Sequence, residues 1–101
     1  MKVRWTTRAA EDLAEIVHYI AGDNPAAAEK TAKKIRKKVK GLAVHRKSGR
    51  VVPEFGHESI REVIVGHYRV VYMLGPKTLE ILTVFEGHRM MPLGDVDVLE
   101  K

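Results

Sequence analysis

The sequence predicts an α+β fold: an N-terminal strand, an antiparallel helical hairpin, and then a three- to four-stranded antiparallel sheet. Three observations lead there. Residues 60–86 hold three runs rich in β-branched and aromatic residues, parted by Gly66-His67 and by Gly75-Pro76-Lys77. Two earlier segments carry apolar residues at helical spacing. Only Gly22 to Asn24 separates those two segments, which leaves room for a tight turn and little else.

Each element has its own local reason. Lys2 to Thr6 alternates loosely around Trp5 and reads as a short strand. Thr6 and Thr7 offer a hydroxyl to cap the helix over residues 8–21, whose Leu13, Ile16, Val17 and Ile20 form one apolar face. Glu11 and Asp12 are expected in its first turns, where the helix dipole favours them, and Gly22 at its C-terminal stop. Asn24 then caps a second helix with Pro25 in the first position, where no N–H is needed. Ala28, Ala32, Ile35, Val39 and Leu42 recur at spacings of three and four, making a single stripe. Ser48-Gly49-Arg50 breaks this helix, and Pro53 limits Val51-Val52 to a short edge strand. Gly66 supplies the positive φ that a two-residue hairpin turn demands, and Pro76 cannot continue a strand. Val96, Val98 and Leu99 hint that residues 95–101 form a strand or a docked tail.

At 101 residues the chain is expected to be one domain, 1–101, with a modest core. The absence of cysteine removes disulfides, thiolate zinc sites and cysteine nucleophiles, and it suits a reducing cytoplasm. No apolar run approaches the ~20 residues of a membrane span, and the N-terminus lacks the apolar core of a secretion signal. The net charge is +5, unevenly placed. Ten of the 18 basic residues lie between Lys30 and Arg50, where no Asp or Glu occurs. Such a block favours an anionic partner, nucleic acid or an acidic protein segment, although lysines also serve simply to keep a long helix soluble.

Candidate functional residues come from charge inside the sheet. Arg61 and Arg69 interrupt apolar strands and Arg89 follows the last one. A buried arginine is costly unless paired. The expectation is therefore that they stand on a face open to solvent or a partner; the alternative is pairing with Glu62 or Glu80. With both helices assigned to one side of the sheet, the other side is expected to be bare, carrying arginines and tyrosines. The histidines at 18, 45, 57, 67 and 88 show no metal-ligand spacing, and Ser48 and Ser59 show no base partner. Neither a metal nor a cofactor is expected.

Trp5-Thr6, Ala9, Asp12-Leu13, Ile16, Tyr19-Ile20, Asn24-Pro25, Ala27-Ala28, Gly49-Arg50, Arg61-Glu62, Tyr68-Arg69-Val70-Val71-Tyr72, Glu80-Ile81-Leu82, Val84 and Gly87-His88-Arg89 follow one another in an order and spacing that resembles the RelE/ParE superfamily of bacterial toxins. The resemblance covers residues 3 to 89. It implies the toxin half of a type II toxin–antitoxin module, cytoplasmic, in a hetero-oligomer with a cognate antitoxin. The helix start at Asn24-Pro25, Gly49-Arg50 and the Tyr68–Tyr72 strand look more like the ParE branch, whose members poison DNA gyrase. The alternative it implies is a RelE-like ribosome-dependent endonuclease cutting mRNA. A third is a degenerate toxin that keeps only antitoxin binding.

As implied by that resemblance, the target- or antitoxin-binding residues are Arg50, Arg61, Tyr68, Arg69, Tyr72, His88 and Arg89. In a RelE-like enzyme Arg61, Arg69, His88 and Arg89 would be catalytic. RNA cleavage through the 2′-hydroxyl needs a base, an acid and cations around the phosphate. The arginines suit the phosphate, and His88 and Glu54 suit proton transfer. The chain departs from that pattern in two places: no tyrosine follows Tyr72, and Met90 stands where an acidic residue often follows the terminal arginine.

Overall fold

The structure is a computed structural model that describes residues 1–94; the strand or tail expected over residues 95–101 lies outside the described residues. The chain runs β1 (Lys2–Trp5), α1 (Thr7–Ala21), α2 (Pro25–Leu42), β2 (Arg50–Val51), β3 (Ile60–Val65), β4 (Tyr68–Leu74) and β5 (Thr78–Glu86). The α+β class is as expected, with one difference in the sheet. Among the described residues it has five strands in the order β1-β5-β4-β3-β2, and β1 pairs parallel with β5, so the sheet is mixed.

Both helix starts follow the capping logic. The Thr6 hydroxyl accepts from the Ala9 N–H at 3.1 Å, and Asn24 Oδ1 accepts from the Ala27 N–H at 3.0 Å. Thr6 also donates to the Ile81 carbonyl at 2.7 Å, which ties the helix start to β5. Two details differ from expectation. The first turn of α1 holds no acidic residue, because the helix begins at Thr7. Asp12 instead accepts from the Thr83 hydroxyl and so fastens α1 to the sheet. Gly22 has φ −58°, so the helix closes without a left-handed residue, through the N–H groups of Asp23 and Asn24 on the Ile20 carbonyl.

Ala9 and Leu13 from α1 and Ile35, Val39 and Leu42 from α2 meet Val63, Val70, Tyr72, Leu79, Ile81 and Val84 from the sheet. Burial of each larger aliphatic side chain here stabilises by roughly 1.5–3 kcal/mol. Leu82 has no partner in the β4–β5 register, which steps between Val71 and Tyr72. This bulge moves the alternation by one residue, so Val84 joins Leu79 and Ile81 on the helix side while Phe85 points the other way. Gly66 has φ +59° and His67 does not, the pattern of a II′ rather than a I′ turn.

The side of the sheet away from the helices is not bare, contrary to expectation. Val52, Ile60, Val71, Leu82, Phe85 and Leu93 form a second core there, with Phe55, Met73 and Met91 packed against it. The turn after β2 and the segment after β5 supply this cover. Both lack regular periodicity, so neither reads from sequence as a packing element.

Candidate functional site

The arginines expected on an open face are mostly engaged. Arg69 is buried, with 11% of its side chain exposed. Its Nε donates to Glu62 Oε1 at 2.6 Å, and its two terminal nitrogens donate to Glu54 at 2.8 and 2.9 Å in a bidentate fork. The guanidinium also lies 4.9 Å from the centre of the Phe85 ring. Arg50 Nε donates to the other Glu62 oxygen at 2.7 Å. The Glu62 side chain is 0% exposed, so this carboxylate sits between two guanidinium groups and away from water. The expectation of a solvent-facing cation at Arg69 is thus corrected towards the alternative, pairing with Glu62; Arg50 joins the same carboxylate from a side chain that is 63% exposed. Glu54 completes the network; the sequence points to it for proton transfer and not for this pairing, because it lies in the irregular turn 15 residues before its partner.

Electrostatics follow from the contacts. The hydrogen bond from Arg69 is the largest influence on Glu54 and holds its carboxyl below the ordinary range, against a smaller opposing effect of burial. Arg69 is pushed further up by the same bond to Glu54, and by Glu62. Arg61 Nη1 donates to the Gly49 carbonyl at 2.9 Å and its Nε to the Glu58 carbonyl at 3.1 Å, with the Glu58 carboxylate 3.7 Å away. Arg61 therefore holds backbone in place and is not a free cation.

Tyr72 is also structural in its surroundings. Its hydroxyl donates to the Arg46 carbonyl at 2.8 Å and accepts from the Gly49 N–H at 3.0 Å, pinning the loop between α2 and β2. Burial pushes its phenol up. A Cβ at Gly49 would fall 2.5 Å from the Glu62 carbonyl oxygen and 2.6 Å from the Tyr72 hydroxyl, so only glycine permits this approach. Tyr72→Phe is expected to cost about 1–3 kcal/mol, because it leaves the buried Gly49 N–H and the part-buried Arg46 carbonyl without their partner. Urea unfolding of the variant checks this, and a change within about 0.5 kcal/mol would show that water replaces the hydroxyl.

Tyr68, His88 and Arg89 sit at the opposite end of β4 and β5 from the Tyr72 loop. There α1 and the segment after β5 frame a hollow of about 650 Å³, lined among others by Tyr19, Tyr68, Arg89 and Met90. Tyr19 is 83% exposed and Met90 91%, which is unusual for side chains of this size. Arg89 is exposed, and its guanidinium has no ion-pair partner among the described residues. His88, its side chain 90% exposed, has Glu86 at 3.9 Å as its one charged neighbour among the described residues. The sequence does not show that Tyr19 and Met90 would be exposed together here, since one lies on a helix and the other in an irregular tail.

The candidate proton-transfer groups are not brought together: Glu54 is engaged by Arg69, and His88 by Glu86. Ser59 Oγ lies 2.7 Å from His57 Nδ1, a pair that sequence spacing does not reveal. The Ser59 N–H also points at that nitrogen, from 3.3 Å. The two residues form an exposed local turn, with no carboxylate bonded to the imidazole among the described residues. No group of three His, Asp or Glu side chains placed to hold a metal occurs among the described residues.

A model of the family described as ParE toxin of type II toxin-antitoxin system, parDE, matches residues 3–91. The chain belongs to the ParE toxin family. A curated relative in Sinorhizobium fredii (strain NBRC 101917 / NGR234), named "Putative toxin Y4kP", is 36% identical over 94 residues, covering 90% of this chain and 93% of the relative. A solved structure titled "Chromosomal ParDE TA system from P. aeruginosa" superposes with a TM-score of 0.68 at 27% identity, over 85% of this chain and 95% of that one. The ParE match ends at residue 91, so it includes the whole ion network and most of the hollow around Tyr68, Arg89 and Met90. No helix among the described residues of this ParE-family chain is long and apolar enough to cross a membrane.

Proposed function

We propose that this ParE-family toxin arrests growth by inhibiting DNA gyrase in the cytoplasm, that a cognate antitoxin neutralises it, and that the pair stabilises the replicon encoding it. The observation that carries the reading is the division of the charged groups. Arg50, Arg69, Glu54 and Glu62 neutralise one another in a closed network, while Arg89, Tyr19 and Met90 stand free around an open hollow. Paired guanidinium groups are poorly placed to take up a scissile phosphate. Free aromatic, apolar and cationic side chains around a concavity suit the recognition of a protein surface. The experiment is a gyrase supercoiling assay run beside a reconstituted translation assay. Loss of supercoiling with messages intact supports gyrase as target; cut messages with supercoiling intact support the ribosome instead.

The antitoxin has its own place in this reading. Between α1 and α2 runs an apolar groove of about 750 Å³, floored by Leu13, Val17, Ala28 and Ala32 and rimmed by His18 and Arg36. Alanines keep it open. An amphipathic helix of an acidic antitoxin segment that folds on binding fits such a groove. Ala14→Trp, at an exposed position lining it, is expected to weaken antitoxin binding at least tenfold and to leave growth arrest intact. Calorimetric titration checks the first and co-expression the second. Unchanged affinity would place the antitoxin elsewhere.

A further inference from the structure

We infer that the outer face of α2 is a docking surface for the backbone of double-stranded DNA. This goes beyond the toxin reading and does not rest on it. From Lys30 to Lys40 the helix carries seven cations: Lys30, Lys33, Lys34, Arg36, Lys37, Lys38 and Lys40. At 100° per residue they spread over an arc centred opposite the buried stripe of Ala28, Ala32, Ile35, Val39 and Leu42. All seven are exposed. Among the described residues only Lys33 has an ion-pair partner, Glu29 at 3.1 Å. The helix is thus a ridge about 15 Å long with roughly one positive charge per 2 Å of axis. Duplex DNA carries about one negative charge per 1.7 Å. The loop that follows adds Arg46 and Lys47, both exposed, on a backbone that the Tyr72 hydroxyl pins through the Arg46 carbonyl.

The chemistry of this face selects among polyanions. A protein partner calls for aromatic or large apolar anchors. Among the described residues the large exposed apolar side chains are Tyr19, Val44, Ile64 and Met90, and none lies on α2. Single strands are held by stacking on aromatic rings, and α2 has no aromatic residue. Between the two duplex forms, the major groove of B-DNA, about 12 Å wide, admits a helix, whereas that of A-form RNA is too narrow. Lysines are point charges suited to phosphate without base readout, so the binding is independent of sequence.

The test is fluorescence anisotropy of the full-length protein with a labelled B-form duplex of arbitrary sequence, between about 50 and 200 mM salt. The expected dissociation constant is on the order of 10 µM at the upper end, and it rises steeply with salt. Lys34→Gln/Lys37→Gln is expected to weaken binding about tenfold or more at low salt and to lower the log–log salt slope by about 2. Lys2→Gln/Lys77→Gln removes the same charge from exposed positions off the ridge and is expected to change affinity less than threefold. Thermal melts keep folding separate from binding, since all four positions are exposed. Equal losses from the two double variants would reduce the effect to net charge and overturn the inference. So would equal or tighter binding of polyglutamate or of an A-form RNA duplex, or no DNA binding at the lowest salt.

Discussion

Arg69→Leu is expected to lower the stability of the fold by about 3–5 kcal/mol, the cost of leaving a buried charge without its partner. For a chain of this length that corresponds to roughly 15–30 °C in melting temperature. The reason is Glu62. Its side chain is 0% exposed, and without Arg69 it keeps a single guanidinium, that of Arg50, which is itself mostly exposed. The contact of the guanidinium with the Phe85 ring is lost as well. Glu62→Leu combined with Arg69→Leu is expected to recover much of the loss, because an apolar pair of similar volume needs no hydration. Urea unfolding of both variants measures the difference. If the double variant is no more stable than the single one, the network's value lies in packing and not in charge.

The same network sets an acid limit. Glu54 has a folded-state pKa lowered first by its hydrogen bond from Arg69. A lowered pKa means that the stabilisation is fully present above the unfolded-state value, about 4.3, and is lost as the pH falls through the folded-state value below it. Glu54→Gln is expected to flatten the stability profile below about pH 4 while leaving a constant deficit at neutrality. Chemical unfolding midpoints across that range test this, and parallel curves for the two proteins would remove Glu54 as the acid-sensitive group.

Arg89→Glu is expected to abolish growth arrest while changing stability by no more than about 0.5 kcal/mol. Arg89 is exposed, has no ion-pair partner among the described residues, and lines the hollow with Tyr19, Tyr68 and Met90. Nothing in the fold depends on it, so a strong phenotype must come from a partner. Charge reversal at an interface anchor costs about 2–4 kcal/mol, or about 30- to 1000-fold in affinity. Plating efficiency after induction reads the effect. A variant as toxic as the parent at equal expression would move the target surface away from this end of the sheet. Arg61 offers the contrast: its bonds to the Gly49 and Glu58 carbonyls mean that its removal acts on the β2–β3 region before it acts on any target.

How far the sequence reaches depends on the range of the interaction. Ala28 to Leu42 recur with the period of a helix, and all five are buried along one side of α2. Asn24-Pro25 and Gly66 specify a cap and a turn through their own backbone chemistry, and the structure has both. The class, the hairpin and the three long strands follow from such local rules. The ParE-like order of short motifs also lies along the chain and needs no coordinates.

Contacts between distant segments were decided by the tertiary structure alone. The four residues of β1 bear no mark of their partner, and their parallel pairing with β5 depends on where the helical hairpin leaves the two strands. Arg69 and Glu62 lie on neighbouring strands and Glu54 in an irregular turn, so whether the guanidinium meets water or carboxylate is a matter of register and of that turn's path. Covering the far side of the sheet with Val52, Phe55, Met91 and Leu93 is the same kind of event, built by segments without periodicity. Periodicity and capping are properties of neighbouring residues, and so are written along the chain. The pairing of a charge and the covering of a face belong to residues brought together only by folding.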